Sequence, residues 1–229
     1  MLSNEVVTML LEGTRDTLYM TFVSAIFSYL FAFPIGIALV ITKKDGLRPM
    51  TALYRLLDIV VNIGRSVPFL ILLIAVIPLT VLIAGKSYGS TATIVPLVIA
   101  STPFIARLIE SSLQEVDPGV IEAAQSMGAS LSTIVTKVLI AEAKTSLIVG
   151  STIALGTILS YSAMAGVVGG GGLGDIAIRY GYNRYQYDIM LITVILLVVL
   201  MQVMQFIGMK ITAKKNKIER KANRKTKGN

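Results

Sequence analysis

The 229-residue chain contains neither cysteine nor histidine. Their absence removes disulfides, Cys/His zinc sites, thiol nucleophiles and the commonest general base together. It leaves the compartment open, because a cysteine-free chain suits either side of a membrane. Charge is scarce too: 15% of the residues are Asp, Glu, Lys or Arg, where a soluble chain carries about a quarter. No G-x-x-x-x-G-K-[ST] run occurs, so the usual P-loop cradle for ATP phosphates is missing. No nucleophile and base pair and no metal site can be assembled, which argues against an enzyme. What is present is apolar: 54% of the residues are hydrophobic and the mean hydropathy is +0.75. Several segments exceed the roughly 18 apolar residues that cross a bilayer, so the reading is an all-α, polytopic membrane protein.

Five spans are expected, over about 17–41, 66–84, 91–113, 146–168 and 187–211, forming one transmembrane domain over 1–211. The first is about 37 Å long at 1.5 Å per residue. It is too long, and too acidic in front (Glu5, Glu12, Asp16), for a signal peptide. Ser24, Ser28, Ala32 and Gly36 recur every four residues along it, a stripe that lets another helix approach closely. Lys43, Lys44, Arg48 and Arg55 follow, with Gly46 and Pro49 as breakers, which marks a cytoplasmic loop and puts the N-terminus outside. Pro68, Pro78, Pro96 and Pro103 lie in or beside the next two spans, and the fourth carries Ser151, Thr152, Thr157, Ser160, Tyr161 and Ser162. The net charge of +8 resides in the last twenty residues, which hold nine basic side chains against Glu219 alone. Directly after a hydrophobic helix, this basic tail (212–229) reads as a cytoplasmic anchor rather than a nucleic-acid site, with contact to anionic lipid as an added alternative.

Two stretches between spans carry information. The run Gly169 to Gly174 contains a formal G-x-G-x-x-G, yet it follows a membrane helix instead of a strand. It is read as a flexible or tightly turned external loop and not a dinucleotide site. Between the third and fourth spans, about 115–142, Glu115, Asp117, Glu122, Lys137 and Glu142 interrupt the apolar pattern. Asp117 with Pro118 starts a short helix, Gly128 ends it, and Ser130 caps a second one through about Ile140. A helix with small Ala123 and Ala124 and a soft Met127 can enter a groove on another protein, while Glu122 offers a charge to a basic partner.

Ile121-Glu-Ala-Ala-Gln-Ser-Met-Gly128 with Val138-Leu139-Ile140 resembles the EAA coupling motif of ABC-importer permeases; Ile140 stands in place of its Leu and Ala141 in place of its Pro. Asn62-Ile-Gly-Arg-Ser-Val-Pro-Phe69, Pro103-Phe-Ile-Ala-Arg107, Tyr161-Ser-Ala-Met-Ala-Gly166 and Gly171-Gly-Leu-Gly174 are similar to the five-helix permease family of methionine ABC importers. The resemblance implies a type I importer permease fold and a homodimer in the bacterial cytoplasmic membrane. Two ATP-binding subunits that hold ATP and Mg would lie below, and an extracytoplasmic methionine-binding protein above. Glu122, Ala123, Ala124, Met127 and Gly128 would couple to the ATPase, and this chain itself would carry no cofactor or metal. A permease for another amino acid or small solute, or a self-contained ion-coupled carrier, is the alternative.

Tyr161, Ser162 and Met164, near the outer end of the fourth span, suit a gate or substrate pathway, or simple helix packing. Arg65 and Arg107 suit snorkelling near span ends or binding of a substrate carboxylate, and Glu110 can pair with Arg107 one turn away.

Overall fold

A computed structural model describes residues 4–226, with side chains described through Ala213. Residues 1–3 and 227–229, and the side chains of most of the basic tail, lie outside the described residues. The described chain is helical, without strands. In order it forms α1 (Asn4–Thr42), α2 (Thr51–Ser66), α3 (Phe69–Ala75), α4 (Ile77–Ala84), α5 (Ser90–Gln114) and α6 (Pro118–Ser126). A short α7 (Leu131–Thr133) continues through wide π-type turns (Ile134–Leu139) into α8 (Ile140–Glu142). Next come α9 (Lys144–Met164), α10 (Gly172–Ile176), π-type turns over Ala177–Tyr182, and α11 (Tyr187–Thr226).

Four stretches are long and apolar enough to cross a membrane, Asn4–Thr42, Ser90–Gln114, Lys144–Tyr182 and Tyr187–Ala213, with a fifth crossing if the bent pair α2–α3 counts as one. Their outward faces carry Phe22, Ile26 and Leu30 on α1 and Val194, Val198 and Phe206 on α11, all exposed. Apolar exposure on this scale fits lipid as the solvent.

The centre of the bundle is the crossing of α1 and α5. Ser24, Ser28 and Ala32 are fully buried, and a methyl group on Gly36 would stand 2.7 Å from Ile109 Cγ2 and 2.8 Å from the Ala106 carbonyl oxygen. The stripe of small residues therefore brings two backbones together, gaining dispersion contacts where no hydrophobic force acts between helices in lipid. The largest buried cluster, including Leu39, Ile105, Ile109, Leu113 and Leu139, grows outward from this crossing.

Three elements differ from the sequence expectation. First, α1 begins about thirteen residues before the expected 17, because Leu10 joins Leu173, Ile176 and Ile189 in a separate apolar cluster that holds the early turns helical. Second, the basic loop after α1 contains α2, a 16-residue helix. Third, the stretch 66–84 is no single rod. The chain bends by 101° between α2 and α3 at Pro68, whose ring removes a donor and disfavours helical geometry at Val67. The chain breaks again at Val76, just before Pro78.

Candidate functional site: a docking helix and a broken helix inside the bundle

The basic end of the bundle carries the projecting excursion. Asp117 Oδ1 accepts from Gly119 N at 2.7 Å and Pro118 occupies the first turn of α6, satisfying the helix start. Gly128 adopts φ 75°, the left-handed stop that glycine permits, and Ala129 N bonds back to the Ala124 carbonyl at 3.1 Å. Ser130 then accepts from Thr133 N at 3.3 Å. The five motif residues divide by orientation. Ala124 is buried in the main core, whereas Glu122, Ala123 and Gly128 are exposed and Met127 is 81% exposed. The small residue at 124 lets α6 sit down on the bundle, and the others are presented outward.

Deeper in, α2 and α5 run antiparallel, with Gly64 abutting Pro103. Around α2, Leu57 and Val61 pack inward, Leu56, Val60 and Ile63 face out, and Asp58, Asn62 and Arg65 form a separate polar stripe at i, i+4, i+7. Polar groups inside a membrane face a bundle interior or a water-filled cavity and seldom lipid, and Asp58 and Asn62 in this stripe meet Arg107 of α5.

At the upper end of the stripe, Phe69 stacks on Tyr161 with ring centroids 4.4 Å apart and planes within 1°. The two rings, with Gly64, Arg65, Ala100 and Phe104, line a small cavity of about 130 Å³. The chain break at Ser66–Pro68 is what brings Phe69 to this point. Irregular backbone at membrane depth is tolerated where it lines a cavity or is buried in protein.

Three residues of α9 were expected together at a gate. The structure brings only Tyr161 to the cavity. Ser162 is buried and donates to the Leu159 carbonyl at 2.7 Å, a packing position, and Met164 is 42% exposed on the outer flank. Phe69, Phe104 and Asp58 were not singled out from sequence, although the i, i+4, i+7 spacing of Asp58, Asn62 and Arg65 was readable.

The two arginines weighed from sequence differ sharply. Arg107 donates to Asp58 at 2.6 Å, to Asn62 at 2.9 Å and to Glu110 at 2.6 Å, and Gln114 donates to the other Glu110 oxygen at 3.1 Å. Arg107 is thus neutralised and ties α2 to α5. Arg65 makes no ion pair among the described residues.

At the opposite end, the glycine run is a tight turn. Gly169, Gly171 and Gly172 all have positive φ, Leu173 N donates to Thr17 Oγ1 at 2.8 Å, and Thr93 Oγ1 donates to the Gly170 carbonyl at 3.1 Å. Anchored to α1 and α5 in this way, it is a structural clasp with no strand before it, and so no dinucleotide fold.

Comparison with known proteins agrees with this architecture. The family model described as binding-protein-dependent transport system inner membrane component matches residues 32–215. The probable D-methionine transport system permease protein MetI of Vibrio cholerae is 54% identical over 87% of this chain and 89% of its own length. The D-methionine transport system permease protein MetI of Escherichia coli K12 is 44% identical over 72% of this chain and 76% of its own. Among solved structures, a chain of the MetNI methionine ABC transporter in inward-facing conformations superposes with TM-score 0.91 at 43% identity, covering 93% of this chain and 99% of that one.

Proposed function

Since the chain belongs to the family of binding-protein-dependent transport system inner membrane components, we propose that it is the permease subunit of an ATP-driven importer of methionine, in the D or L form. It is a multi-pass membrane subunit of an ABC transporter, non-catalytic itself, with ATP hydrolysis assigned to a separate subunit. The likeness to a methionine transporter permease along nearly its whole length carries the substrate assignment.

Two copies of the chain would enclose the passage, each contributing its α2 stripe and Phe69–Tyr161 pair, with Tyr161 in the substrate pathway and Met164 toward its outer rim. Two ATPase subunits would receive α6, with Glu122, Ala123, Met127 and Gly128 at the contact and Ala124 setting its angle. A methionine-binding protein would dock at the glycine-rich end. Lys43, Lys44 and Arg48 at the other end support an external N-terminus and a cytoplasmic C-terminus in the bacterial plasma membrane. In this arrangement ATP binding draws the two docking helices together and opens the passage outward, and hydrolysis resets it. The driving energy is the difference in ATPase affinity for the two states.

A methionine auxotroph lacking this chain tests the reading. Growth on low D-methionine should be lost while growth on methionyl dipeptides persists; unaffected growth on D-methionine contradicts it.

A further inference from the structure

Arg65 lies near the end of α2, beside Gly64, which abuts Pro103 near the middle of the 25-residue α5. At least 11 residues of α5 separate that level from either helix end, about 16 Å at 1.5 Å per residue, too far for a side chain to snorkel to the interface. Arg65 is nonetheless exposed, and it has no acidic partner among the described residues. Arg107, by contrast, sits nearer the basic end and holds two carboxylates and an amide. An unneutralised guanidinium at this depth is costly against lipid, and it adjoins a cavity walled by Phe69, Phe104 and Tyr161.

We propose that Arg65 is the carboxylate anchor of a substrate station inside the membrane, with the aromatic cavity taking the thioether chain. The inference rests on the importer reading and names the residue that would hold the head group. The chemistry of the two halves matches the ligand. A guanidinium fork meets a carboxylate with two parallel hydrogen bonds, and a thioether sulfur gains favourable contacts with aromatic rings. Arg65 lines the same cavity as the aromatic rings, so a short unbranched chain lying against the rings would leave its carboxylate beside the guanidinium. The carboxylate of the substrate would pair with Arg65 during passage and leave with it.

The test uses the assembled transporter in proteoliposomes with its cognate binding protein loaded with radiolabelled L-methionine. In Arg65→Gln, ATP-dependent uptake should fall about tenfold or more, the loss of one charged hydrogen-bonded anchor, while stimulation of ATPase by the loaded binding protein stays within about twofold. Arg65→Lys keeps the charge but loses the fork, so its uptake should lie between that of Arg65→Gln and the wild type. Uptake by Arg65→Gln at the wild-type rate overturns the anchor. So does a parallel loss of uptake and ATPase stimulation in both variants, which assigns Arg65 a structural role. If Arg65→Gln fails to assemble, the lysine variant and Arg65→Met carry the same comparison. Wild-type complex that accumulates no methionine overturns the importer reading itself, whereas wild-type uptake with an indifferent Arg65→Gln overturns the anchor alone.

Discussion

Phe69 and Tyr161 lie face to face with ring centroids 4.4 Å apart, joining the first residue of α3 to the middle of the last turns of α9. The pair bridges the break after α2 and a helix that begins beside the docking excursion, and both rings line the cavity. A stacked pair contributes about 0.5–1.5 kcal/mol beyond its burial. A double-mutant cycle of Phe69→Leu and Tyr161→Leu on thermal unfolding of the purified complex should return a coupling energy of that order. Additive losses would show that the rings act independently.

The Arg107 network predicts unequal costs. Glu110 has a side chain only 4% exposed and is paired with Arg107 at 2.6 Å. Arg107→Met should therefore destabilise the chain by about 3 kcal/mol, as expected when one partner of a buried pair is removed. Asp58 is 31% exposed, and Asp58→Asn keeps an oxygen facing Arg107, so its cost should stay near about 1 kcal/mol. Denaturation of the solubilised protein compares the two, and equal losses would contradict the ranking.

Orientation within α6 separates docking from folding. Glu122→Lys and Met127→Glu should weaken copurification with the ATPase subunit while leaving the permease stable. Ala124→Leu, which forces three extra carbons into a well-packed site, should cost about 1–3 kcal/mol of stability first. Copurification unchanged in both exposed variants would remove α6 from the coupling interface.

Two glycines should respond for different reasons. A methyl group on Gly174 would overlap the Ala163 backbone, so Gly174→Ala should abolish accumulation of folded protein. Gly128 has open space around it and only its φ of 75° to protect. Gly128→Ala should therefore cost about 1–2 kcal/mol, the penalty of left-handed geometry for an L-residue. Expression yield and melting temperature distinguish them.

Much of this architecture was legible in the residues. Asp117-Pro118, Gly128 and Ser130 act locally, so their caps could be read directly, and the four-residue stripe from Ser24 to Gly36 announced a close helix crossing. The pairing of Arg107 with Glu110 was equally local. What could not be read depends on distant segments. Leu10 extends α1 because Ile176 and Ile189 meet it. Phe69 reaches Tyr161 because Pro68 turns the chain through a right angle, whereas apolar composition alone draws 66–84 as one straight span. Ser162 resembled its neighbour Tyr161 in sequence, and only the helix phase sends it into packing.

The most direct measurement of the central claim is methionine accumulation in proteoliposomes holding this chain, its ATPase subunit and the loaded binding protein. With ATP and magnesium inside, radiolabelled methionine should accumulate above equilibrium, and a hydrolysis-deficient ATPase subunit should abolish that accumulation. Equilibration of methionine regardless of ATP, or ATP-driven accumulation of a different solute with methionine excluded, would contradict it.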